Sequence, residues 1–147
     1  MASIRRDIID ALKTKLETIS GLTVHKWMPS TPSTRNFPIA IIDAVRGTVN
    51  DGPSSSGQTE FLQADVIILQ EFDREDDSDT AWDQLDVVLT DTQQKVGADP
   101  TLGNANVVDT RLQSWEMAQH ETDPIVACTA TFQIHYRHKY GDPEVAL

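Results

Sequence analysis

Apolar residues at Ile4, Ile8, Ala11, Leu12, Leu16 and Ile19 recur every three or four positions, the period of a helix with one buried stripe. Ser3 offers an N-cap hydroxyl before this run and Ser20-Gly21 a stop after it, so a first helix is predicted between them. Leu22 to Trp27 is a short strand candidate. Residues 28–36 follow, a Pro- and Ser-rich stretch whose Pro29 and Pro32 forbid regular structure and predict a mobile surface loop. Phe37 to Val45 is apolar at nearly every position, including Ile39, Ala40, Ile41 and Ile42, which suits a central strand. Gly47 to Thr59 carries Asn50-Asp51-Gly52-Pro53 and a serine run. It has too little apolar surface to offset the cost of ordering, and predicts a second mobile loop. Glu60 to Phe72 then alternates as a strand, with Leu62, Ala64, Val66, Ile68 and Phe72 on one face. Ile67 and Leu69 imply partial cover on the other.

Ala81, Trp82, Leu85, Val88, Leu89, Thr92 and Val96 restore the helical period, and Gly97 reads as the residue that stops this second helix. Two long alternating strands close the chain, joined by a polar turn over 118–123. In the second, Val126, Cys128, Ala130, Phe132, Ile134 and Tyr136 share one face, and Ala127, Thr129, Thr131, Gln133, His135 and Arg137 share the other. A dozen residues at this rise make about 40 Å of strand, long against the usual five or six residues. Such a ribbon spans the whole domain or overhangs it. The order helix, strand, strand, strand, helix, strand, strand predicts an α+β two-layer sandwich: a mainly antiparallel sheet of four to five strands, consecutive strands paired, with both helices on one face. Its edge strands need covering or a partner.

Size and charge narrow the function. The 147 residues suit a single domain, 1–147. Twelve Lys and Arg against 23 Asp and Glu leave a net charge of −11, the wrong sign for binding duplex DNA through its phosphates. An acidic surface lets a polyanion pass without sticking. The single cysteine, Cys128, has no internal disulfide partner and reads as a small buried hydrophobe. No apolar run approaches the roughly 20 residues of a membrane helix, and the stretch from Met1 to Arg6 lacks the apolar core of a signal peptide, so a cytoplasm-like setting is expected.

Candidate chemistry is sparse. No Gly-rich phosphate loop, Cys-x-x-Cys, His-Glu-x-x-His or nucleophile elbow occurs. The carboxylate run from Asp73 to Asp79 is the best lead toward a metal-dependent hydrolase. It stands just before the second helix, where acids complement the N-terminus and Ser78 or Asp79 serves as a cap, and it lacks the spacing of an EF-hand. His25, His120, His135 and His138 read as solvated or interface side chains. Trp27, Trp82 and Trp115 read as core and sheet residues, with Trp27 and Trp115 also suited to subunit contacts. No catalytic, cofactor-binding or metal-ligating residue is therefore assigned, and no enzymatic activity or cofactor is expected.

Three segments together resemble the tail-terminator, or tail-completion, proteins of long-tailed bacteriophages, the minor-tail-protein-U-like group. They are the opening helix Ile8-x-x-Ala11-Leu12-x-x-x-Leu16-x-x-Ile19-x-Gly21, the turn Asp99-Pro100-Thr101-Leu102-Gly103, and the closing strand that runs through Tyr136-Arg137 to Gly141-Asp142-Pro143. Asn104 stands where a second glycine is expected. The resemblance implies a structural virion protein at the head-proximal end of the tail, assembled in the host cytoplasm. It implies a hexameric ring that caps the major tail tube protein, stops its polymerisation and meets the head-tail connector, while DNA passes through the lumen without specific binding. A head-closure or neck protein and a small intracellular ligand-binding module are the alternatives.

Overall fold

The computed structural model describes residues 3–26, 38–71, 79–119 and 125–139. Its elements run α1 (Ile4–Glu17), β1 (Thr23–His25), β2 (Ile39–Asn50), β3 (Gly57–Glu71), α2 (Asp79–Ala98), β4 (Val107–Gln119) and β5 (Ile125–Lys139). The Ser3 hydroxyl caps the start of α1, accepting from the Arg6 amide at 3.2 Å. The helix ends earlier than the expected Ser20-Gly21 stop, at Glu17, where the Thr18 hydroxyl donates to the Lys15 carbonyl at 2.6 Å, and Gly21 takes φ +79° in the turn that follows. Asp7 in the first turn and Lys15 in the last complement the helix dipole.

Among the described residues, both helices cover one face of a mostly antiparallel sheet whose five strands are ordered β1-β2-β3-β5-β4, the α+β arrangement the periodicity predicts. The core between the layers takes Ile8, Leu12 and Leu16 from α1 and Leu85, Leu89 and Val96 from α2. Beneath them lie the inward rows Leu62-Ala64-Val66-Ile68 of β3 and Val126-Cys128-Ala130-Phe132-Ile134-Tyr136 of β5. Ile39 and Ile41 are also buried but lie outside that cluster, opposite Leu69 and Ile67 in register; those two partners are half-buried.

Pairing departs from the expected consecutive antiparallel order in two places. β1 runs parallel to β2, Thr23 opposite Ile39. The connection over residues 26–38 is long enough for the crossover of about a dozen residues that parallel pairing requires. β5 lies between β3 and β4, antiparallel to both, rather than at an edge beside β4 alone. Here α2 returns the chain so that β4 runs in the same direction as β3, and the slot between them accepts the strand with the longest continuous apolar row. The 15-residue β5 thus spans the domain, paired with β3 along its whole length, and is not an overhanging ribbon.

The second expected loop, 47–59, is corrected as well. Gly47 to Asn50 continue β2 and Gly57 to Thr59 begin β3, with Thr48 opposite Phe61 and Asn50 opposite Thr59. The ladder needs only backbone partners, so it runs on through positions such as Arg46, Gly47 and Thr48 whose side chains are exposed. Residues 51–56 and the expected loop over 28–36 lie outside the described residues. At the end of α2 the helix includes Gly97 and continues to Ala98, and the left-handed conformations fall instead on Leu102 (φ 54°) and Gly103 (φ 67°). Asn104 suits this turn without being glycine, because its side-chain oxygen accepts from the Asn106 amide at 2.9 Å.

Candidate functional site

The outer edges of the sheet, β4 on one side and β1 followed by β2 on the other, have no strand partner among the described residues, and they differ. β4 pairs with β5 on one side only, leaving the outer edge of Val107–Gln119 without a strand partner among the described residues. Register shifts near Val108 and Gln113 twist this edge, and Asp109, Arg111 and Glu116 place charge along it; Asp109 and Arg111 pair at 2.5 Å. Bulges and charges discourage indiscriminate strand addition. Trp115 nevertheless stands 55% exposed and Val108 48% exposed on the same strand. At the other end, β1 covers β2 only over Ile39–Ile41. From Ile42 onward β2 shows a second outer edge, unpaired among the described residues.

The sheet face away from the helices carries a hydrogen-bonded patch. The Arg46 guanidinium donates to Gln63 at 2.9 Å and to Asp65 at 3.0 Å, Thr131 donates to Asp65 at 2.9 Å, and Gln63 donates to Gln113 at 3.1 Å. His135 stacks on Phe61 beside it, ring centroids 4.6 Å apart. These side chains come from β2, β3, β4 and β5 and tie four strands together. Their satisfaction by one another leaves little free bonding capacity for a small ligand.

A buried polar cluster lies on the helix side. Glu60 is the inward residue directly opposite Tyr136, whose hydroxyl donates to Glu60 Oε2, and His138 Nε2 stands 3.1 Å from the same oxygen. Tyr136 is fully buried, and His138 and Glu60 are buried with it. Burial, the bond to Glu60 and the negative charge of that carboxylate push the Tyr136 phenol well above its ordinary range, while Arg5 partly opposes them. His138 is thus corrected from a solvated side chain to a buried one, because it continues the inward phase of Ile134 and Tyr136. Glu60 escaped the sequence reading, although a signal was present: an acid in phase with Leu62, Ala64, Val66 and Ile68 is an acid aimed at the core.

The remaining candidates are scattered. His25 ends β1, half-buried; His120 and Trp27 lie outside the described residues. Trp82 packs half-buried against the core, and Trp115 is exposed on the β4 edge. Of the acidic run, 73–78 lie outside the described residues and Asp79 is already the first residue of α2. Among the described residues, no three His, Cys, Asp or Glu side chains converge to hold a metal ion. Asp99 pairs with Lys15 at 2.9 Å; the bond to that ammonium chiefly holds its carboxyl below the usual range and joins the start of the Asp99-Gly103 turn to α1.

Cys128 is fully buried, and burial, aided by the charge of Asp86, pushes its thiol up to about 11. The neutral thiol is the form the fold favours, so its contribution is complete below the ordinary value near 9.0 and is lost as pH rises from there through about 11. Native protein at neutral pH should therefore resist an aromatic disulfide reagent and label only as fast as it unfolds. Rapid stoichiometric labelling of folded protein would contradict this burial.

No protein-family model matches the sequence, and no curated protein matches it.

Proposed function

We propose that this chain is a non-enzymatic virion subunit, a tail terminator that closes into a ring on the last layer of a phage tail tube and halts polymerisation by occupying its growing face. The carrying observation is that, among the described residues, the sheet ends in two different unpaired edges, the outer side of β4 and, at the other end, the outer sides of β1 and of β2 beyond Ile41. Association through unlike patches is head-to-tail, and head-to-tail contacts generate closed rings when the rotation closes. The resemblance of the opening helix, the Asp99-Gly103 turn and the closing strand to tail-terminator proteins supplies the expected hexamer and its place on the tube. A net charge of −11 suits a lumen through which DNA slides.

The test is assembly. The full chain, analysed by native mass spectrometry alone and with the tube protein of its own phage, should form a discrete closed oligomer, and a phage lacking it should build tails of uncontrolled length. A chain that stays monomeric in both conditions, or tails of normal length without it, would overturn the proposal.

A further inference from the structure

Against the acidic composition, one groove is basic. Arg5 and Arg6 at the start of α1, Lys26 just after β1, Ile9 and Val45 line it. Arg5 and Arg6 are exposed, and their guanidinium groups have no hydrogen-bond or ion-pair partner among the described residues. Lys26 is held by Asp10 at 2.6 Å, so the net positive charge comes chiefly from the two arginines, with the N-terminus of α1 adding to it. The floor is apolar, made by Ile9, which is 9% exposed, and half-buried Val45.

The complementary surface lies on α2. Asp83, Asp86 and Val87 are spaced by three and four residues, and so share one helix face; all three are exposed, Val87 at 58%. Two carboxylates beside a bare isopropyl group match two guanidinium groups beside an apolar floor. The two surfaces share no residue, and both belong to the helix layer. The groove belongs to α1, the end of β1 and β2, on the side where the outer edge of β2 beyond Ile41 has no strand partner among the described residues. The other surface belongs to α2, which packs on β3, β5 and β4 and touches α1; its Val87 lines a separate cavity with Pro38 and Gln70.

We propose that the Arg5-Arg6 groove of one subunit receives the Asp83-Asp86-Val87 face of a second copy of this chain, so that a charged helix-layer contact accompanies the meeting of unlike sheet edges. The inference rests on the ring reading above and names the side chains that set its direction. Electrostatic pairing of this kind selects the head-to-tail orientation over the symmetric alternatives, in which basic would meet basic and acidic would meet acidic.

A charge swap tests it on the full chain. Arg5→Glu with Arg6→Glu makes one variant, and Asp83→Lys with Asp86→Lys the other. All four sites are exposed and acids in the first turn of α1 suit its dipole, but Arg5 also faces the Glu60-Tyr136 pair, so Arg6→Glu alone is the second basic-side variant, and thermal melts should report folded protein for it. Each variant alone should need at least about tenfold more protein to assemble, in proportion to the like-charge contacts introduced, and an equimolar mixture should recover to within about threefold of the wild type. Assembly of the wild type should also weaken between low and high salt. Reversal variants that assemble as well as the wild type, or a mixture that does not recover, would overturn this interface while leaving the ring intact. A wild type that never assembles would remove the ring reading itself and this contact with it.

Discussion

Replacing Phe132 with alanine should destabilise the fold by about 3–5 kcal/mol, the range for deleting a fully buried aromatic ring. Phe132 is wholly buried in the middle of β5, opposite Ala64 on β3 and Leu112 on β4. Ala64 has no side chain that could swing into the space, and the helices above are fixed by their own contacts with the sheet, so the cavity has little means of collapse. Against a typical total of about 5–15 kcal/mol, such a loss leaves a marginal domain. Urea denaturation should show a lower midpoint with an unchanged slope. Phe132→Leu keeps most of the volume and should cost less than the alanine change. A loss below about 1 kcal/mol for Phe132→Ala would mean that the ring is not packed as described.

Removing the Glu60 carboxylate should cost about 2–5 kcal/mol, because Glu60→Ala leaves the Tyr136 hydroxyl and the His138 ring without the group between them in a buried site. Glu60→Gln keeps an acceptor of the same shape and should cost less. Tyr136→Phe, which removes a donor but leaves the His138 contact, should cost about 1–3 kcal/mol. Combined with Glu60→Ala, it should add less than its separate value, since both changes break one interaction. Alkaline pH supplies an independent readout. The fold raises the Tyr136 phenol, so its contribution is complete below the ordinary phenol value near 10.0 and is lost as pH climbs above it, where the unfolded chain ionises and the folded chain does not. Wild-type stability should decline there at up to about 1.4 kcal/mol per pH unit from this group, and Tyr136→Phe should remove that part of the decline. Equal alkaline slopes in the two proteins would contradict the burial of the phenol beside Glu60.

If the proposed ring forms, both effects bear on its assembly, because these residues hold the frame of the strand edges that are unpaired among the described residues. Phe132 fixes β5 between β3 and β4, and the Glu60-Tyr136-His138 cluster pins the end of β3 and β5 next to the outer part of β2. A variant that loosens either should lose ring formation at temperatures where its secondary structure persists.

Local chemistry along the chain determined the number and kind of elements and which face of each is buried. Ser3 caps the start of α1, the three- and four-residue spacing of Leu85, Leu89 and Val96 marks α2, and the alternating rows of β3 and β5 enter the core as their phase requires. These are short-range properties, carried by neighbours within one or two turns or pleats. Pairing was decided only in three dimensions. The parallel partnership of β1 with β2, the insertion of β5 between β3 and β4, and the extension of β2 and β3 through residues expected to be loop all depend on which distant backbone is adjacent, and backbone hydrogen bonds carry no side-chain signature. The buried polar cluster divides along the same line. Phase alone would have turned Glu60 and His138 inward, but only the β3–β5 register sets Glu60 opposite Tyr136 and brings His138 to the same carboxylate. The basic groove is likewise a product of topology, since it brings Val45 of β2 beside α1 and the end of β1.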